Sequence, residues 1–487
     1  MVSADDEVYL VGGVVRDAYL RRPSRDIDLA TAEDGRRLAR RIADHFGGAY
    51  YALDPERGIG RAIITCEPNE QAPITVDVAR FRGPDLLTDL QGRDFTLNAM
   101  AVRLGGDLHA IIDPLGGMAD IEAKRLRQCT AHAIADDPVR ALRAIRASVT
   151  FRLMIEPQTR ASIKAHAPEL AQSSPERVRD ELFHILDAPH PQAAIDAAQR
   201  LGVLPHVIPE TAAMQNVPQP PPHQYDLWTH TLHVVENLDT ILHVIQPGRS
   251  DDLTANVQAG AVAFALSHLR EKLQAHLAHR WPNERSHHAL LMLAALLHDA
   301  GKPQARVVDE EGKLHFWKHE HYGAKIAAER ARALRLSKEE TTRLVTIVHH
   351  HMRPHWLSDA PKLTRRAVYR FWRATGQAGV DVCLLAMADY LATYGVELDT
   401  QDWTHYLETI QTLLEAYLLR KEETVAPPLL LDGRALIEHF GLSPGPQIGK
   451  LLAGLQEAQV TGEVSTKEEA LAWAQRFLEK QNEEKQP

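Results

Sequence analysis

Cysteine is scarce: Cys66, Cys129 and Cys383 are the only three in 487 residues, and no two form a C-x-x-C spacing. A disulfide framework and a cysteine-held zinc cluster are therefore excluded, and the thiols are expected to be buried or idle. Long apolar runs are missing as well. The longest, Ala289 to Leu297, falls well short of the roughly 20 residues of a membrane span, and the acidic Ala4-Asp5-Asp6-Glu7 does not suit a secretory n-region. A cytoplasmic protein with no membrane partner is expected. Basic residues are outnumbered, 55 Lys and Arg against 65 Asp and Glu, for a formal charge of −10. Such a chain lacks a bulk electrostatic hold on nucleic acid, although a local groove of arginine remains available to it. No internal repeat is visible. With 44% hydrophobic and 25% charged residues, wholesale disorder is excluded and about three or four domains are expected.

Histidine, by contrast, is abundant: 26 residues, many of them between His223 and His355. A metal site is to be sought there. Elsewhere the pattern divides the chain. Val8 to Val11, Asp26 to Thr31, Ala62 to Cys66 and Ile74 to Phe81 read as strands among helical stretches, a small α/β head. Beyond residue 118 the apolar spacing turns to 3 and 4, as in Val139, Leu142, Ile145 and Val149, and the remainder reads as helical. Pro218-Gln219-Pro220-Pro221-Pro222 cannot sit inside a helix and is read as a stiff linker; Ala426-Pro427-Pro428 is a second break, and the charged tail from Lys480 is expected to fray. The domains expected are a head over 1–130, a helical neck over 131–217, a His-rich domain over 223–395 and a C-terminal helical region over 396–487.

Between a strand and a helix stands Gly12-Gly13-x-x-Arg16-Asp17, and the next strand carries Asp26-Ile27-Asp28. Period 2 puts both aspartates on one face, about 7 Å apart, where they can share divalent cations. The glycines let backbone amides approach a polyphosphate, beside a helix start that favours anions. In this order the string resembles the nucleotidyltransferase superfamily that includes DNA polymerase β, and within it the class II tRNA nucleotidyltransferase and bacterial poly(A) polymerase branch. Further blocks of that family follow in order: Arg93-Asp94-Phe95-Thr96-Leu97-Asn98-Ala99, Asp113-Pro114-Leu115-Gly116-Gly117-x-x-Asp120, Asp136-Asp137-Pro138-Val139-Arg140-Ala141-Leu142-Arg143, and Glu176-Arg177-Val178-Arg179-Asp180-Glu181-Leu182. Two positions depart from it. Gly92 stands where the family has Arg, which predicts a weaker phosphate contact, and Asp136 stands where it has Glu.

The resemblance implies an α+β fold, a mixed-sheet head followed by an all-α neck and body. It implies Mg²⁺ on the catalytic Asp26 and Asp28, with Asp77 a candidate third carboxylate. Gly12, Gly13, Arg16, Arg93, Asp94, Asn98 and Arg143 would line the nucleotide pocket, and the partners would be CTP, ATP and the 3′ end of tRNA. Asp137 and Arg140, three apart in a helical pattern, are expected to share a face. Cytosine and adenine both present an exocyclic amine beside a ring-nitrogen acceptor, so Asp137 can accept from the amine while Arg140 donates to the ring nitrogen. Uracil and guanine present the opposite order. An ordinary intrahelical salt bridge is the plainer reading of this pair.

His230, His298-Asp299, His319 and the distant Asp389 resemble the HD phosphohydrolase superfamily. That likeness implies a divalent transition metal, Ni²⁺, Mn²⁺ or Co²⁺, on His230, His298, Asp299 and Asp389, with His319 and His349 or His350 nearby for phosphate or a second ion. The activity implied is template-independent addition of CMP and AMP to tRNA, with an HD hydrolase beside it; a homodimer is compatible with this reading. Poly(A) polymerase and enzymes adding only CC or only A share the motifs. An HD phosphohydrolase whose head merely binds RNA is the alternative of another class.

Overall fold

The computed structural model describes residues 7–65, 73–246 and 257–483. Cys66, the first residues of the acidic N-terminus and the last four of the tail lie outside them; the final helix, Lys467–Glu483, continues past Lys480. The chain divides into two compact units. One comprises residues through Pro189 with Ala193–Val207; the other, His190–Gln192 and residues from Ile208 on. Pro218 to Pro222 lies within the second unit and is packed there: Gln219 accepts a hydrogen bond from Lys302 at 2.7 Å, and the amide of Leu227 donates to Val217.

The first unit holds a seven-stranded sheet of β1 (Val8–Val11), β2 (Asp26–Thr31), β3 (Ala49–Asp54), β4 (Ile59–Ile64), β5 (Ile74–Arg80), β6 (Ala101–Arg103) and β7 (Ile111–Ile112), in the order β3-β4-β5-β2-β1-β6-β7. Within this sheet only β2 and β5 pair in parallel. Alternation sorts β2: Ile27 and Leu29 pack with Leu38, Ala39 and Ile42 of the helix Gly35–Phe46, while Ala30 packs on the opposite side with Val11, Leu90 and Ala99. Asp26 and Asp28 share the parity of Ala30, at the strand's open N-terminal end.

Two aspartates of one family-like block, Asp113 and Asp120, prove to be structural pins. Asp113 accepts from the amides of Gly117 and Met118 and fixes the start of the helix Gly117–Glu122. Asp120, fully buried, accepts from Thr96 at 2.7 Å and pairs with Arg125 and Arg127, so the segment carrying Asp94 and Asn98 is tied down from below. A Cβ on Gly117 would lie 2.3 Å from the Thr96 carbonyl oxygen, and this close approach is why glycine stands there.

The second unit is helical. Leu227–Ile245 packs on His287–Leu297 and Gly379–Tyr394, with Lys338–His350 against His287–Leu297 and His319–Ala333. Arg365–Glu397 is long and apolar enough by length and composition to cross a membrane, yet 72% of its apolar window is buried within the fold, and Gly376 breaks it into two helices. It is core. Trp403 and Tyr406 are core too, Tyr406 stacked on Tyr390. The last three helices build their own apolar cluster around Leu436, Leu451, Leu455 and Ala474.

Candidate active site and a histidine-carboxylate cluster

A cavity of about 480 Å³ in the first unit is lined by Gly12, Gly13, Arg16, Asp26, Asp28, Arg93, Asp94, Asn98, Asp137, Arg140 and Arg143, every pocket residue read from the sequence except Asp77. Arg82, Arg146 and Arg177 join them. Burial raises the Asp28 carboxyl above its ordinary range; Arg93 pulls the other way, and repulsion from Asp77 and Asp26 adds to the rise. Gly12 is at φ +76°, and a Cβ there would meet Arg93 at 2.9 Å and an Asp28 oxygen at 3.3 Å. The missing side chain keeps open the space in front of the carboxylate. Two oxygen-only donors on one strand face beside that space fit hard divalent cations. Asp77 sits opposite Asp28 across the β2–β5 register, but both its oxygens accept from Arg61, at 2.7 and 2.8 Å.

One network fixes the pocket wall. Arg16 donates to Asp17 and to the Asn98 side-chain oxygen at 2.7 Å; the Asn98 amide donates to Asp94, which also accepts from the Phe95 amide and from Arg143 at 2.8 Å. Glu181 then receives Arg143 and Arg146. Burial opposes the charge on Asp94, yet Arg143, Asn98 and the Phe95 N–H outweigh it and hold the carboxyl below its usual range. Arg82 reaches the cavity from beside Gly92 and donates to its carbonyl at 2.6 Å, so a guanidinium stands at the rim where the sequence predicts one lost.

The shared helical face of Asp137 and Arg140 is a correction. Asp137 is extended (φ −152°, ψ 96°), held out of the helical region by the proline after it, and the helix begins at Arg140. Arg140 donates to the carbonyls of Arg93, Ala133 and Gly92 at 3.1, 3.2 and 2.9 Å; its Nε stays 3.9 Å from Asp137. The partner of Asp137 is Arg177, at 2.6 Å. No intrahelical salt bridge forms, and both side chains face one cavity.

In the second unit His230, His298 and Asp299 converge, and Asp299, His319 and His351 form a second triad through the same carboxylate, with donor atoms within 4.8 Å in each. Asp226 caps the helix that carries His230, and His298 caps the end of His287–Leu297. Gly301 lets His319–Ala333 close on this turn, since a Cβ there would lie 2.1 Å from the His319 carbonyl oxygen. Asp389 lies 3.0 Å from His230 and 3.0 Å from His355. His349 and His350 are not part of the cluster, which is a correction: their rings meet edge to face, and His349 meets His321 in the same way. His351 is the inward member because Leu344, Ile347 and Val348 define the buried face, and three or four more residues bring the helix round to 351. That spacing was available in the sequence. Lys302, buried, lies 2.6 Å from Asp299.

His230 Nε2, His298 Nε2 and one Asp299 oxygen are buried without hydrogen-bond geometry to any neighbour, although they approach one another closely. Two imidazole nitrogens and a carboxylate oxygen gathered on one point, with the Lys302 ammonium 2.6 Å from that oxygen, fit a divalent cation bound by imidazole and carboxylate. Burial disfavours charge on Asp299, but His298 and Lys302 outweigh it and hold it well below the usual carboxylate range. Burial lowers His351 to about 4, leaving a neutral imidazole able to act as a ligand. Of the thiols expected to be buried or idle, Cys66 lies outside the described residues; burial pushes Cys129 up to about 12 and raises Cys383 well above the ordinary thiol range.

A mixed sheet presenting paired carboxylates to an arginine-lined cavity, and a separate helical unit with a histidine-carboxylate cluster, define a nucleotidyltransferase head and an HD domain, both users of divalent metal. Family comparison agrees: residues 8–127 match the poly A polymerase head domain, 152–215 the "Probable RNA and SrmB- binding site of polymerase A", 261–394 the HD domain and 424–474 tRNA nucleotidyltransferase domain 2. The chain is 32% identical to an A-adding tRNA nucleotidyltransferase of Deinococcus radiodurans, over 96% of this chain and 95% of that one. It is 33% identical to a CC-adding tRNA nucleotidyltransferase of Geobacter sulfurreducens, over 97% and 91%. The protein belongs to the tRNA nucleotidyltransferase family. Solved structures share its fold: a CCA-adding enzyme with CTP (TM-score 0.58, 20% identity, 98% of this chain and 92% of that one) and the Thermotoga maritima CCA-adding enzyme complexed with tRNA (0.54, 20%, 97% and 91%).

Proposed function

We propose that this protein adds CMP and AMP to the 3′ end of tRNA without a nucleic-acid template. The observation that carries the reading is the meeting, in one cavity, of the Asp26 and Asp28 carboxylates with the base-reading pair Asp137 and Arg140. Mg²⁺ bound by Asp26 and Asp28 would activate the attacking 3′-hydroxyl and offset charge on the leaving pyrophosphate. The chain's own groups do the rest. Arg16, Arg93 and Arg143, each oriented by an aspartate or asparagine, bind triphosphate oxygens. Arg140, fixed by three carbonyls, keeps donors toward the ring nitrogen of the base, and Asp137 accepts from the exocyclic amine. A uracil or guanine carbonyl facing Asp137 sets oxygen against carboxylate in a confined site, a penalty of about 1–3 kcal/mol. Asp77, engaged by Arg61, stands opposite Asp28 and adds negative charge that favours a cation beside it.

A second reading, addition of CC alone or A alone, is favoured by a specific observation: relatives spanning nearly the whole chain carry the names A-adding and CC-adding. For the HD cluster we propose a Ni²⁺, Mn²⁺ or Co²⁺ site on His230, His298, Asp299 and Asp389, with His319 and His351 completing it, that hydrolyses phosphate esters. The test uses tRNA ending at the discriminator base, at C and at CC, each with Mg²⁺ and one or both of CTP and ATP, and sequences the products. CCA on all three substrates supports the first reading, and products stopping at CC, or A added only after CC, the second. Failure to extend any substrate overturns both.

A further inference from the structure

Asp137 must keep an oxygen turned toward the nucleotide base, yet it stands on an extended residue with no helix to constrain its side chain. Two contacts hold it. Its Oδ1 accepts from the Val139 amide at 3.3 Å, long for a hydrogen bond, and its Oδ2 accepts from Arg177 Nη2 at 2.6 Å. The second is the stronger, being short and charge-assisted. Arg177 sits in the first turn of the helix Pro175–Leu186, whose start is fixed by Ser174, and it lines the same cavity. Four residues on, hence on the same helix face, Glu181 receives Arg143 and Arg146 of the helix Arg140–Thr150. The face that presents Arg177 is thereby latched to the helix that begins with Arg140. The two halves of the base-reading pair are thus secured by different means, Arg140 by carbonyls and Asp137 by a side chain.

We infer that Arg177 is a specificity-determining residue that positions Asp137 for base selection, an inference that rests on the base-reading role proposed above. A carboxylate offers about four lone-pair sites, so Oδ2 accepts from Arg177 and retains one for the exocyclic amine of cytosine or adenine. With Arg177 in place Asp137 cannot swing aside when uracil or guanine brings a carbonyl oxygen against it. Without Arg177 the carboxylate turns away, the clash disappears, and Arg140 is left to donate to whichever acceptor arrives. Correct nucleotides lose one oriented contact, whereas wrong ones lose their penalty.

The test compares wild type, Arg177→Ala, Arg177→Lys and Asp137→Ala, as full-length protein with acceptor tRNA and Mg²⁺, measuring kcat and KM for each of the four NTPs. The ratio of kcat/KM for CTP or ATP over UTP or GTP is expected to fall about tenfold in Arg177→Ala, with part of it regained in Arg177→Lys. If Arg177→Ala slows all four nucleotides alike, Arg177 is a general phosphate or structural contact and the inference is wrong. An unchanged ratio in Arg177→Ala beside a collapsed one in Asp137→Ala sinks this inference and leaves the base-reading pair standing. An unchanged ratio in both variants overturns the pair itself and the role of Arg177 with it.

Discussion

Asp26 and Asp28 are costly neighbours, two like charges on one strand face with Asp77 across the ladder, and burial already raises the Asp28 carboxyl. Asp26→Ala or Asp28→Ala should abolish nucleotide addition while stability changes by no more than about 1 kcal/mol, because relief of like-charge repulsion offsets the lost contacts. Single-turnover addition of CMP and thermal melts check both halves. In the other unit His351→Ala should weaken retention of a transition metal about 10–100-fold, and His350→Ala should leave it unchanged, as followed by metal titration of the stripped protein. These residues also show what a sequence discloses. Gly12, Asp26, Asp28 and Asn98 were legible because strand period and motif order fix their direction. His349, His350 and His351 are indistinguishable as letters, and only the apolar spacing 344, 347, 348 selects the third. Arg177 stands in a family-like block, but its partner Asp137 is 40 positions away and no local pattern joins them.

Among elements, β1 and β2 have the bounds read from the sequence because β1 is a short apolar run and β2 an aspartate-aliphatic one, whereas β3, largely exposed, and the short β6 and β7 carry too little pattern to be seen. The helix break at Asp137-Pro138 was readable from the proline and was outweighed by the 3-residue spacing on either side of it. A buried ion cluster joins three helical segments of the second unit: Asp381 accepts from Arg343 at 2.6 Å and lies 2.8 Å from His276. Burial works against its charge, but Arg343 and His276 prevail and hold the carboxyl down at about 2. A depressed carboxylate contributes stability above its unfolded value near 3.8 and loses it as pH falls toward the folded value. Unfolding midpoints of the wild type should therefore drop between about pH 4 and 2, and Asp381→Asn, less stable at neutral pH, should show a flatter dependence across that window in denaturant titrations.

At the scale of the molecule, the two sets of proposed metal ligands share no residue and belong to different compact units. Replacing His298 and Asp299 together with Ala should eliminate hydrolysis of a phosphomonoester or 2′,3′-cyclic phosphate assayed with Ni²⁺, Mn²⁺ or Co²⁺. Addition with Mg²⁺ should persist within a few-fold; its loss in a folded double variant would tie the cluster to tRNA handling. The cavity of the head carries a further consequence. Seven arginines and five aspartates line it, inside a chain whose formal charge is −10. At neutral pH the whole protein is a polyanion that an anion-exchange resin retains, while its own cleft behaves as a small anion exchanger. Under the proposed function, the groups that seat an incoming triphosphate would also be the groups that must let pyrophosphate go, so clearing the cleft after each addition would be governed by competition among anions rather than by the sign of the protein as a whole.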